Sequence, residues 1–98
     1  MEISKKLENG TLTIALEGRL DTNTAPLLEA EMNLDGAKDV EFDLERLEYV
    51  SSAGLRVFLS AMKAVSGAGG GVTILHPNAS VASVLEITGL DSVFRIVR

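Results

Sequence analysis

An α/β fold, with a mixed sheet of about five strands and helices mainly on one face, is what this 98-residue sequence predicts. Three observations carry that expectation. Asn9-Gly10 separates two alternating segments and opens the chain with an antiparallel hairpin. Behind the hairpin, short alternating strands and helical apolar stripes take turns, giving the order β-β-α-β-α-β-α-β and right-handed parallel crossovers. The strands alternate apolar with polar residues, so one face of the sheet is covered and the other thinly or not at all.

The hairpin comes first. Both central residues of a type I′ turn need φ > 0, and Asn-Gly supplies them. That turn fixes the pairing: Leu7 faces Leu12, Lys5 faces Ile14 and Ile3 faces Leu16, while Lys6 with Thr13 and Glu8 with Thr11 form the polar face. Gly18-Arg19-Leu20-Asp21 leaves the second strand. Thr22, Asn23 and Thr24 then offer caps, and Pro26 suits a first helical turn. Leu27, Leu28 and Met32 make a short apolar stripe with Glu29 and Glu31 outside, and Asp35-Gly36 ends the helix.

Val40 to Leu44 alternates and predicts a third strand, followed by a loop anchored by Leu47 and Val50. After Ser51-Ser52, Leu55, Phe58, Leu59, Met62 and Val65 form one helical stripe, with Arg56, Ser60 and Lys63 opposite. The run Gly67 to Gly71 reads as a flexible connector into Val72 to Leu75, and Pro77 stops that strand. Asn78 or Ser80 caps a third helix carrying Val81, Val84 and Leu85, with Gly89 as its C′ residue. Val93 to Val97 form a last short strand. No repeat and no boundary divides the chain, so residues 1–98 form one domain.

Composition removes several kinds of function. A chain of this mass folds to a surface of about 5,400 Å², enough to enclose one core but not a deep two-domain cleft. There is no cysteine, which excludes disulfides, zinc ribbons and thiol catalysis, and one histidine argues against an imidazole relay or metal cluster. Nine basic against 14 acidic residues give a net charge of −5, the wrong sign for a nucleic-acid binder. Aromatic residues are too few for a base-stacking platform. No apolar run is long enough to span a membrane, and Met1 to Lys6 begins no signal peptide. The expectation is a cytoplasmic protein that needs no cofactor and whose chemistry is done by a partner.

Ser51-Ser52-Ala53-Gly54 is the most informative segment, because it hands a strand over to a helix. A serine there caps the helix, worth about 1 kcal/mol. It also sits where free N–H groups and the helix dipole would favour an added phosphate. No Gly-x-Ser-x-Gly elbow surrounds either serine, and His76, at a strand end before Pro77, is a surface residue rather than a base. The glycine run follows a helix and opens a strand, the reverse of a phosphate-binding loop. Asp21 either lines the same sheet end as Ser52 or only caps the turn that follows it. Asp35, Asp39, Glu45 and Glu48 read as solvated loop charges with no calcium-loop spacing.

Gly18-Arg19-Leu20-Asp21-Thr22-Asn23-Thr24-Ala25-Pro26, Ser51-Ser52-Ala53-Gly54-Leu55 and Leu85-Glu86-Ile87-Thr88-Gly89-Leu90 together resemble three blocks of the STAS domain, as found in the bacterial anti-sigma factor antagonists. Spacing and element order agree over nearly the whole chain. The resemblance implies the STAS fold and a non-enzymatic binding protein. When unphosphorylated, such a protein binds an anti-sigma factor, itself a serine-kinase-like ATPase, and frees the sigma factor. The kinase inactivates the antagonist by phosphorylating a serine at the start of the second helix, and a PP2C-type phosphatase reverses this.

Carried across, the modified residue is Ser52, with Ser51 as the alternative. Gly54 fits the glycine of the pattern Asp-Ser-Ser/Thr-Gly-Leu, and Asp21 fits a nearby acidic residue. The partner-binding face implied is Asp21, Ser51, Ser52, Ala53, Gly54 and Arg56. Ser51 stands where the family usually has aspartate and Ala53 where it has a second hydroxyl residue, which removes a negative charge beside the acceptor and makes Ser51 a competing one. Many members also carry a C-terminal helix for which the sequence ending at Arg98 leaves no room. The competing implication is a STAS scaffold or ligand-sensing module that is never phosphorylated. A monomer is expected, with a dimer the alternative, because Lys5 and Lys6 on an edge strand would discourage strand association.

Overall fold

The computed structural model describes residues 1–98 and has an accessible surface of 5475 Å². Its five strands are β1 (Glu2–Glu8), β2 (Thr11–Leu20), β3 (Asp39–Val50), β4 (Val72–Leu75) and β5 (Arg95–Val97), and its helices are α1 (Ala25–Ala30), α2 (Ser52–Ser66) and α3 (Ala79–Ile87). The sheet order is β1-β2-β3-β4-β5. Only β1 and β2 are antiparallel; every other neighbouring pair is parallel. No helix is long and apolar enough to cross a membrane.

The hairpin has the predicted register, with Leu7 opposite Leu12, Lys5 opposite Ile14 and Ile3 opposite Leu16. Asn9 (φ 53°) and Gly10 (φ 82°) both take the left-handed conformation that a type I′ turn demands. On the covered face, Leu12, Ile14, Leu16, Val40, Phe42 and Ile74 are buried beneath the helices. Phe58 of α2 stacks on Phe42 with ring centroids 4.4 Å apart and meets Phe94 edge-on at 6.4 Å. The intervening residues, among them Thr13, Ala15, Glu41, Asp43 and Thr73, stay partly exposed on the open face.

Several elements differ from expectation. The predicted loop after Leu44 is strand, and β3 runs on to Val50. Ala15 pairs with Asp43 but Glu17 with Arg46, and Gly18 pairs with Leu47 but Arg19 with Tyr49. Each shift places one extra residue in β3, a β-bulge. Buried positions therefore change from every second residue (Val40, Phe42, Leu44) to every third (Leu47, Val50), which hides the strand from a period-two reading. Glu45 and Glu48 lie on this strand, not in a loop, although both are exposed.

Helix α1 stops at Ala30, well short of Asp35-Gly36. It buries Leu28, while Leu27 remains 54% exposed, because one face of a six-residue helix reaches the core. The last strand begins at Arg95, after a 3-10 turn over Leu90–Ser92. Of the two cap candidates for α3, Asn78 does it: its side chain accepts from Val81 N at 2.8 Å and donates to the carbonyls of Leu47 and Glu48. Gly89 ends that helix at φ 76°.

The glycine run is pinned, not a free connector. A Cβ on Gly70 would fall 1.6 Å from the Lys38 carbonyl oxygen. Gly70 N donates to Val65 O, and Gly71 N donates to Asp39 Oδ1 at 3.0 Å. Asp39 is accordingly a partly buried strand residue rather than a solvated loop charge.

Candidate functional site

The carboxyl ends of β2 and β3 meet at the start of α2. Ser51 N donates to Leu20 O at 2.8 Å, which ties the last residue of β2 to the residue that caps the helix. The β3 bulges make this possible, since they set the distance along β3 at which Val50 comes level with Leu20.

The two serines are not equivalent. Ser51 is extended (φ −101°, ψ 175°) and is the N-cap of α2; its Oγ accepts from Gly54 N at 3.4 Å and its carbonyl accepts from Leu55 N at 3.0 Å. Ser52 is the first helical residue and is exposed, and its hydroxyl makes no hydrogen bond within the chain. One serine is thus occupied in holding the helix end, while the other presents a free hydroxyl at that end.

Gly54 is buried. An added Cβ would lie 2.6 Å from Leu20 Cγ and 3.0 Å from Val50 Cγ2. It therefore offers little surface of its own, and lets α2 sit directly against the two strand ends. The exposed residues around Ser52 are Arg56, one turn further along α2, and the partly exposed Ser51 and Ala53. Ala53, Arg56 and Ser60 form one wall of a shallow groove whose other wall is Thr22, Pro26 and Glu29 from the α1 side. Sequence reasoning named no groove, because nothing in the spacing shows that α1 lies alongside α2.

Asp21 follows Leu20 and caps the turn into α1. Its Oδ1 accepts from Asn23 N at 2.9 Å and from Thr24 N at 3.1 Å. Thr24 Oγ1 accepts from Asp21 N and donates to Arg19 O. The Thr24 N–H bond is the main cause that holds the Asp21 carboxyl below its ordinary value; partial desolvation opposes it, and the Asn23 N–H, the Thr24 hydroxyl and the Arg19 charge add to it. Thr24 is the N-cap residue of α1 but makes no side-chain cap bond to the helix, and Asp21 instead closes the turn that precedes it. Asp21 remains at the same end of the sheet as Ser51 through Leu20.

Two further residues at this end were not singled out from the sequence. The Arg19 guanidinium lies 4.4 Å from the centroid of the Tyr49 ring. The second β3 bulge brings them opposite each other, so no linear spacing announces the pair. His76 is exposed just after the carboxyl end of β4, with φ 54°, and its N–H donates to Val97 O. It has no part in this site. No group of three or more His, Cys, Asp or Glu residues is placed to hold a metal ion.

Among protein-family models, the STAS domain matches residues 2–98. BtrV of Bordetella bronchiseptica, named for an anti-sigma factor antagonist, is 34% identical over 98% of this chain and 85% of its own length. An anti-sigma-B factor antagonist of Staphylococcus aureus is 31% identical over 85% of this chain and 80% of its own. The Bacillus cell-fate determinant SpoIIAA, an anti-sigma factor antagonist, shares the fold at 20% identity. Its unphosphorylated form superposes with a TM-score of 0.86 over 99% of this chain and 89% of that one. Its phosphorylated form gives 0.77 over 99% and 92%.

Proposed function

This chain belongs to the STAS domain family, among the bacterial anti-sigma factor antagonists, and from that membership we propose a phosphorylation-switched binding protein acting in the cytoplasm. In this reading the unmodified protein docks on a serine-kinase-like anti-sigma factor and so releases a sigma factor. It is not an enzyme. Modification of Ser52 ends the interaction, and a PP2C-type phosphatase restores it.

The observation that carries the reading is the division of labour between the two serines. Ser51 Oγ is engaged with Gly54 N, whereas the Ser52 hydroxyl is exposed and unbonded at the first turn of α2. In the transfer, Ser52 Oγ forms a bond to the γ-phosphorus of ATP, the bond to ADP breaks, and the hydroxyl proton passes to a base of the kinase. The product carries about −1.5 to −2 charge at a helix end whose outward N–H groups tolerate it, so α2 survives the change. A docked partner does not tolerate it. A hundredfold loss of affinity needs only about 2.8 kcal/mol, within reach of a charge desolvated against a surface built for a neutral hydroxyl. The docking face would comprise Asp21, Ser51, Ala53 and Arg56 around Ser52.

Incubation with the cognate kinase and ATP, followed by peptide mass spectrometry, tests the assignment. One phosphate on Ser52 is expected, retained in Ser51→Ala and absent in Ser52→Ala. Phosphate surviving Ser52→Ala would move the site to Ser51. A kinase that binds tightly and modifies neither serine would favour an unphosphorylated STAS scaffold.

A further inference from the structure

We propose that Arg56 is the counter-ion that captures a phosphate on Ser52, so that modification also withdraws this cation from the docking face. The inference rests on Ser52 as the modified residue.

Ser52 and Arg56 stand four residues apart on α2, and both are exposed. Side chains at i and i+4 are neighbours on a helix surface, and an anion N-terminal to a cation is the favourable order. Helical side chains also lean toward the N-terminus, which directs the guanidinium back over Ser52. A planar guanidinium can meet two phosphate oxygens at once.

Arg56 is free to do this. It forms no ion pair, whereas Lys5, Lys6, Arg46 and Arg98 each lie within 4.0 Å of a carboxylate. Two anions come near this region. Glu29 faces Arg56 across the α1–α2 groove without pairing with it, and the Asp21 carboxylate is committed to the N–H groups of Asn23 and Thr24. The other bases of this region and of α2 are placed differently. Arg19 lies over the Tyr49 ring, and Lys63, the other base on α2, is about 16 Å further along the axis. The unmodified protein therefore offers a partner an unpaired arginine beside a neutral hydroxyl. The modified one offers an internally paired phosphate and no free arginine.

The test uses the full chain with phosphoserine installed at position 52 during synthesis, so it does not depend on whether any kinase modifies Ser52. The second ionisation of the phosphate is followed by 31P NMR against pH, in the parent and in Arg56→Gln and Arg56→Lys. With Arg56 as counter-ion, the midpoint lies below that of a free phosphoserine, and Arg56→Gln raises it by roughly 0.3 pH unit. Arg56→Lys keeps the lower midpoint at least in part, and the difference between parent and Arg56→Gln shrinks in high salt. Equal midpoints in the parent and Arg56→Gln, with helix content unchanged by circular dichroism, would overturn the proposal. A kinase assay that leaves Ser52 unmodified would overturn the functional reading instead.

Discussion

Gly54 lies so close to Leu20 that a methyl carbon added to it would stand 2.6 Å from Leu20 Cγ. Leu20 is fully buried and has nowhere to retreat. This contact seats the start of α2 on the end of β2 and holds Ser52 at the rim of the sheet.

Gly54→Ala is accordingly destabilising. Overpacking at such a contact costs about 1–3 kcal/mol, with Val50 adding a second obstacle. Urea unfolding should show a lower midpoint with an unchanged slope. A stability equal to the parent would mean that α2 can shift away from the strand ends at no cost.

The two serines separate stability from switching. Ser51→Ala removes the cap of α2 and should cost about 0.5–1 kcal/mol, toward the low end of the capping range because the Gly54 N–H bond is long at 3.4 Å. Ser52→Ala removes an exposed hydroxyl without a partner and should leave the urea midpoint essentially where it is. Equal losses in both variants would contradict the assigned roles.

Asp21 makes a pH-dependent contribution whose sign follows from its hydrogen bonds. Its folded-state carboxyl is held below the ordinary value, chiefly by the Thr24 N–H. Stabilisation by the carboxylate is therefore fully present above the unfolded value of about 3.9 and is lost as pH falls through the folded one. The difference in urea midpoint between the parent and Asp21→Ala should stay constant from neutral pH down to about 3.9 and should narrow only below that. A difference that stays constant down to low pH would remove the carboxylate charge from the explanation.

Gly70 and Gly67 should respond in opposite directions to alanine. Gly70→Ala meets the backbone of Lys38, which cannot rotate aside, and should destabilise strongly. Gly67 has helical dihedrals and no neighbour within 4 Å, so Gly67→Ala should gain about 0.4–1 kcal/mol by restricting the unfolded chain. Thermal melts of both variants decide the matter, and a neutral Gly70→Ala would restore the reading of this run as a loose linker.

The local signals were legible where one segment carries its own geometry. Asn9-Gly10 dictated the hairpin and its register, because a two-residue turn leaves no freedom in pairing. The stripe from Leu55 to Val65 declared α2, and Gly89 declared the end of α3. Ser51-Ser52-Ala53-Gly54 marked the candidate site, since a serine pair before a helical stripe has few other uses. The sequence alone could not say which serine caps and which is free; both are competent caps, and the backbone angles at Ser51 decide it.

What the tertiary structure decided is everything that depends on two segments meeting. The β3 bulges, the stacking of Arg19 on Tyr49, the α1–α2 groove and the pinning of Gly70 against Lys38 all arise between residues far apart in the chain. A periodic pattern reports which side of an element is buried, but not where the neighbouring element ends. The amino-acid order thus determined the elements, their sequence and the hydroxyl-bearing turn. The packing of Leu20 against Gly54 determined that one of its hydroxyls faces solvent beside an unpaired arginine, because only close approach of strand and helix sets the angle at which that turn is presented.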